Sequence, residues 1–98
     1  MLHYEVFLDV EPNLAGLVEE HMIREHIPEI FATGCFQRIR FEQASPLRFR
    51  TSYEAGDEAE LQRYFRDYAP RLRAKFQASF PSGIVLTRET WKQLQCWG

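Results

Sequence analysis

The stretch Cys35-Phe36-Gln37-Arg38-Ile39-Arg40-Phe41-Glu42-Gln43-Ala44-Ser45-Pro46-Leu47-Arg48-Phe49-Arg50-Thr51-Ser52-Tyr53-Glu54-Ala55 decides the fold. Ile39 and Phe41 share one face of a strand predicted over Cys35–Gln43. Leu47, Phe49, Thr51, Tyr53 and Ala55 then alternate along a second strand. A period of two marks a strand with one buried face. Ser45-Pro46 supplies the turn, so the two strands read as a hairpin.

A helix is predicted on each side of this hairpin. Before it, Asn13 is a good N-cap, and Leu14, Leu17, Val18, His21 and Met22 follow helical spacing. This helix should end near His26 or Ile27, because Pro28 disfavours helical geometry at the preceding residue. Pro28 to Thr33 reads as a second short turn, closed by Gly34 as a C′ residue. After the hairpin, Asp57 with Glu60 three residues on resembles a capping box. Leu61, Tyr64, Phe65, Tyr68 and Leu72 then keep helical spacing. Pro70 should kink this helix or begin a second piece, running through Phe76 to about Ser79.

The two ends of the chain supply the outer strands. Leu2, Tyr4, Val6, Leu8 and Val10 alternate with mostly polar residues until Glu11-Pro12 stops the run. Pro81-Ser82-Gly83 makes a turn into a fourth strand, Ile84 to Leu94, and Gln95 to Gly98 reads as a loose tail. The order β-α-β-β-α-β is the split βαβ, ferredoxin-like plan of the α+β class. It implies a four-stranded antiparallel sheet with both helices on one face, leaving the other face to meet water or a partner.

Composition fits one domain over residues 1–98. Hydrophobic residues make up 45 % and charged residues 27 %, which excludes a disordered or collagen-like chain. The formal net charge of −2 gives no general basic excess for nucleic acid. Met1–Gln37 holds seven acids and one base, whereas Arg38–Gly98 holds eleven bases and seven acids. Opposite-sign halves of a small domain are expected to neutralise one another in the fold. Two cysteines, Cys35 and Cys96, without CxxC spacing fit ordinary thiols in a reducing compartment. The start lacks a basic n-region, and no apolar run approaches a membrane span. The expected location is the cytoplasm.

Glu25-His26-Ile27-Pro28-Glu29-Ile30-Phe31-Ala32-Thr33-Gly34-Cys35-Phe36 resembles a small bacterial family, the domain of unknown function DUF4286. His26-Ile27-Pro28-Glu29 and Ala32-Thr33-Gly34 carry the pattern, and Tyr53-Glu54-Ala55, Leu61-Gln62-Arg63-Tyr64 and Tyr68-Ala69-Pro70 extend it. The resemblance implies a ferredoxin-like relative of the dimeric α+β barrel proteins, hence a homodimer. It assigns no reaction. Family members often carry His where this chain has Tyr68 and Phe76, so a multi-histidine site is not implied here. In the dimeric barrel relatives, substrates are expected between sheet and helices.

Several residues could carry chemistry. His26 precedes the Pro28 break, where it can cap free carbonyls, bind a ligand, or act as acid or base. His21 and Glu25 are four apart and should pair on a helix, whereas His21 and His26, five apart, should face differently. With too few converging ligands, no metal is expected. Tyr4, Phe49, Tyr53, Tyr64, Phe65 and Tyr68 should converge between sheet and helices, as core or as the wall of an aromatic pocket.

Arg38, Arg40, Arg48 and Arg50 alternate with apolar residues and should form one patch on the sheet face away from the helices, with Glu5, Asp9, Glu42 and Glu54. Such a patch fits a dimer interface, or an anion or nucleic-acid site. No RNP-type aromatic motif accompanies it. Arg63, Arg66, Arg71, Arg73 and Lys75 read as a solvated helix face. No Gly-rich phosphate loop or Ser nucleophile elbow occurs.

These features point first to a homodimer that binds a small apolar ligand with one polar group, or a protein partner, without catalysis. The candidate ligand contacts are His26, Tyr4, Tyr53, Tyr64 and Tyr68. The alternative is a cofactor-independent enzyme of oxygenase, isomerase or lyase type, with His26 as base and Tyr53 or Tyr4 as anchor. A third reading, RNA binding through the arginine face, is favoured least. No cofactor is called for.

Overall fold

The computed structural model describes residues 1–98. Four strands, β1 (Leu2–Val10), β2 (Arg38–Ser45), β3 (Arg48–Ala55) and β4 (Ile84–Lys92), form one antiparallel sheet in the order β2-β3-β1-β4. The N-terminal helical stretch comprises α1 (Ala15–His21), a π-helical segment (Met22–His26) and α2 (Ile27–Phe31). The second layer element is α3 (Glu58–Asp67) followed by α4 (Ala69–Ser79). This is the expected ferredoxin-like α+β plan.

The strand alternation read from the sequence sets the two faces of the sheet. Tyr4, Val6, Leu8 and Val10 of β1 are all buried against the helices. Their partners Tyr53, Thr51 and Phe49 on β3 lie on the same face, as do Ile84, Leu86 and Arg88 on β4. Val18, Met22 and Ile30 close the layer from the first helical stretch, and Leu61, Tyr64, Leu72 and Phe76 from the second. Leu8, Phe49, Ile30, Leu61 and Leu72 are the largest apolar side chains buried almost completely.

Pro28 does not break the first helix. His21, Met22, His26, Ile27 and Ala32 all hold right-handed helical dihedrals, and the Ile27 N–H donates to the Met22 carbonyl five residues back. The widened π turn absorbs the proline within a continuous element. It also realigns the buried stripe. In a plain α-helix, four-residue steps drift by about 40° each. Here Val18, Met22 and Ile30 stay on the buried face with His26 between them.

Other local expectations change in detail. Asn13 lies in a turn and does not cap; Leu14 occupies the cap position without a side-chain bond, and its N–H donates to the Glu11 carbonyl at 2.9 Å. Asp57 does cap α3, its Oδ1 accepting from the Glu60 N–H at 2.9 Å. At Pro70 the chain starts a new helix, because Tyr68 leaves helical geometry at φ −126° and Pro70 sits in the first turn of α4. β2 begins at Arg38, since Cys35 and Phe36 are drawn under the helices into the core. β4 ends at Lys92, two residues short of the expected end. Gly83, at φ +90°, passes so close to Leu14 that a Cβ would stand 2.5 Å from its Cδ1.

Candidate functional site

The layer between sheet and helices is not completely filled. It leaves a cavity of about 320 Å³ that opens to solvent on one side, at the small end of ligand pockets, which run to roughly 300–1,000 Å³. Val6, Leu8, Met22, Ile30, Phe76 and Leu86 give it an apolar body. Tyr4, Tyr53 and Tyr64 form one wall, His26 joins from the helical side, and the exposed residues Arg73, Gln77 and Arg88 stand at the mouth.

The tyrosines reach this wall from three elements. Tyr4 and Tyr53 face one another across the β1–β3 ladder with ring centroids 5.5 Å apart, and Tyr64 of α3 lies 6.3 Å from Tyr4. Burial, with the neighbouring hydroxyls, pushes the Tyr53 and Tyr64 phenols well above their ordinary range. Both therefore remain protonated and can donate hydrogen bonds. Tyr4 Oη accepts from Arg73 Nη2 at 3.0 Å.

His26 is positioned by the π turn. Its ring packs 5.0 Å from Phe76 and 6.2 Å from His21. Burial, then the charge of His21, lower its pKa to about 4 against the opposing pull of Glu29. The imidazole is thus neutral at physiological pH, with one donor and one acceptor nitrogen. The expectation that His21 and His26 face differently is corrected, because the π turn rotates them together. His21 Nδ1 also meets Glu25 Oε2 at 3.1 Å, the pair read from the sequence.

The cavity therefore brings together His26, Tyr4, Tyr53 and Tyr64. It leaves out Tyr68, which caps the α3–α4 junction beneath the Arg63 guanidinium at 5.9 Å. Sequence reading passed over Arg88 and assigned Arg73 to a solvated face. Counting in twos from Ile84 reaches Arg88 on the buried side of β4, and Arg73 lies one helical turn before Phe76.

Arg38, Arg40, Arg48 and Arg50 lie on the opposite, open face. Arg48 Nη1 donates to both Asp9 carboxylate oxygens at 3.1 and 3.2 Å, Arg50 bonds Glu42 at 2.6 Å, and Arg38 lies 3.7 Å from Glu54. Arg40 has no carboxylate within ion-pair reach.

Residues 1–94 match the family model described as "Domain of unknown function (DUF4286)". The chain belongs to this family. No curated protein matches the sequence significantly. Among solved structures, the DUF4286 chain is similar to an ethyl tert-butyl ether D (EthD) family protein from Bacillus halodurans. That likeness has a TM-score of 0.72 at 14 % identity, over 96 % of this chain and 100 % of the other. It is also similar to a candidate antibiotic biosynthesis monooxygenase from Nitrosomonas europaea, with TM-score 0.76, 10 % identity and coverage of 97 % and 100 %. A dimeric ferredoxin-like protein from an uncultured marine organism matches with TM-score 0.72 at 9 % identity, over 99 % and 98 %. Identities this low establish the shared fold alone.

Proposed function

We propose that this DUF4286 chain is one ferredoxin-like domain that forms a homodimer and binds a small, mainly apolar ligand without transforming it. The observation that carries this reading is the cavity of about 320 Å³ with its apolar body and tyrosine wall. An apolar recess with a few convergent polar groups is the usual form of a small-molecule site.

Support for the homodimer comes from the open sheet face. Its β2–β3 half carries four arginines against Glu42 and Glu54, whereas its β1–β4 half carries Glu5, Asp9 and Glu89 and no arginine. Such a face is self-complementary under a two-fold axis. Val85 and Trp91 add exposed apolar surface there. Glu5 Oε2 and Ser52 Oγ are buried without partners, and Glu54 Oε2 has no hydrogen bond. Arginines of a second copy would supply donors to these acceptors. The printed description of one structural neighbour as dimeric agrees with this reading.

The catalytic alternative rests on His26 facing the cavity beside phenols that can anchor a substrate. A conjugate-acid pKa of about 4 makes this imidazole a weak base, which favours binding over proton abstraction. The RNA reading draws less support, because three of the four arginines already hold carboxylates. Two free cysteines fit a cytoplasmic location. No helix is long and apolar enough to cross a membrane.

Native mass spectrometry of freshly purified protein tests the reading. The expected result is a dimer carrying a small extra mass that is lost when Ala74→Trp fills the cavity mouth. A monomer at micromolar concentration would remove the dimer. A bare dimer whose stability also responds to no apolar probe would remove the ligand.

A further inference from the structure

The cavity wall is electrostatically one-sided. Its fourteen lining residues include two arginines, Arg73 and Arg88, and no aspartate or glutamate. Seven of the chain's twelve cations, Arg24, Arg38, Arg48, Arg50, Arg63, Arg66 and Lys75, each meet a carboxylate, whereas Arg40, Arg71 and Lys92, all outside the cavity lining, do not. Arg73 and Arg88 are likewise without a carboxylate, and they alone of these stand at the cavity. Arg73 gives one N–H to Tyr4, stacks 5.7 Å from Phe65, and retains further donors. The two side chains come from opposite walls, Arg73 from α4 and Arg88 from the edge strand β4. Both positive fields reach inside, since each guanidinium favours ionisation of the Tyr64 phenol.

We infer that the ligand of this cavity is an amphipathic monoanion, a small carboxylic acid whose carboxylate is held at the mouth between Arg73 and Arg88 while its apolar body fills the space toward His26. The inference rests on the cavity being the ligand site. A guanidinium fork matches a planar carboxylate, with charge-assisted hydrogen bonds about twice as strong as neutral ones. The apolar walls exclude a polyanion, which would bring charges that nothing inside can meet. At about 30 Å³ per atom, the share a water takes in the liquid, 320 Å³ admits on the order of ten non-hydrogen atoms. Octanoate and phenylacetate have that size. The neutral His26 and the protonated Tyr53 and Tyr64 leave the interior uncharged, which suits the apolar end of such an acid.

Calorimetric titration of the full chain with octanoate and phenylacetate, each beside its own amide, tests this at neutral pH. Each acid should bind at least about tenfold more tightly than the amide of equal shape. Arg73→Gln and Arg88→Gln, both exposed and checked for fold by circular dichroism, should each cost the acids about tenfold and leave the amides unchanged. Equal binding of acid and amide by the unmodified protein would overturn the anion inference and leave the cavity reading standing. Binding of acids that is indifferent to both substitutions would overturn it too. No binding by either acid or either amide up to millimolar concentration would overturn both readings together.

Discussion

The rings of His21 and His26 lie 6.2 Å apart and nearly parallel, although five residues separate them in the chain. In a plain α-helix that separation turns side chains about 140° apart. The π turn removes the difference, and Phe76 then packs on both imidazoles, at 5.9 Å from His21 and 5.0 Å from His26. Insertions of this kind recur at functional positions, and here the turn carries His26 to the cavity wall.

Burial of this neutral imidazole makes stability depend on pH. The pKa of His26 falls from 6.5 to about 4 on folding, so between those values the unfolded chain binds the extra proton. Its stabilising contribution is complete above pH 6.5 and is lost as pH falls toward 4. The full difference corresponds to up to about 3 kcal/mol before allowance for partial exposure of the ring. Urea denaturation at stepped pH should show stability falling from pH 6.5 to 5, above the window in which Glu29, Glu42 and Asp67 become protonated. His26→Gln should flatten that part of the curve.

Two glycines should respond in opposite directions to alanine. Gly83→Ala places a Cβ against Leu14 at φ +90°, and should destabilise by about 1–3 kcal/mol. Gly16 lies within α1 and a Cβ there meets nothing within 4 Å, so Gly16→Ala should stabilise by about 0.4–1 kcal/mol. Thermal melts of the pair check both signs.

Loss of the Asp57 cap and loss of a core side chain should differ in size. Asp57→Ala removes one hydrogen bond at an exposed helix start and should cost about 1 kcal/mol. Leu72→Ala opens a void at a position only 1 % exposed and should cost about 2–5 kcal/mol. Chemical denaturation of the two variants measures the ratio.

Charge reversal at Arg40 should separate the proposed dimer. Arg40 faces Ser52 across the ladder, Ser52 faces Glu5, and no carboxylate of its own chain holds it. Arg40→Glu should therefore weaken self-association by about tenfold or more without affecting the fold. Sedimentation over a concentration series, with circular dichroism beside it, reads both. An unchanged dimer would move the interface away from this face.

Periodicity made most of the fold legible. The alternation in β1 and β3 named every helix-facing residue of the central strands, and Tyr4, Tyr53 and Tyr64 meet as that pattern requires. The N-terminal helix was less legible, because the π turn leaves no mark in residue type and Pro28 reads as a terminator until the wider turn accommodates it. Arg88 was hidden because edge strand β4 alternates weakly, and its facing is set by pairing with Val6. Tyr68 keeps helical spacing up to the junction, where its own backbone departs, and its partly buried ring packs against the core outside the cavity lining.

Strand β1 has an inheritance of its own. Tyr4, Val6 and Leu8 look into the cavity, whereas Glu5, Phe7 and Asp9 look out from the open face. One strand at the centre of the sheet thus serves both surfaces, interleaved residue by residue. Substitutions can retune either surface separately. Gaining or losing a single residue within the strand would turn each surface into the other, setting carboxylates into the aromatic layer and tyrosine outside. Descendants of this chain are therefore free to change the letters of β1 and bound to keep its count.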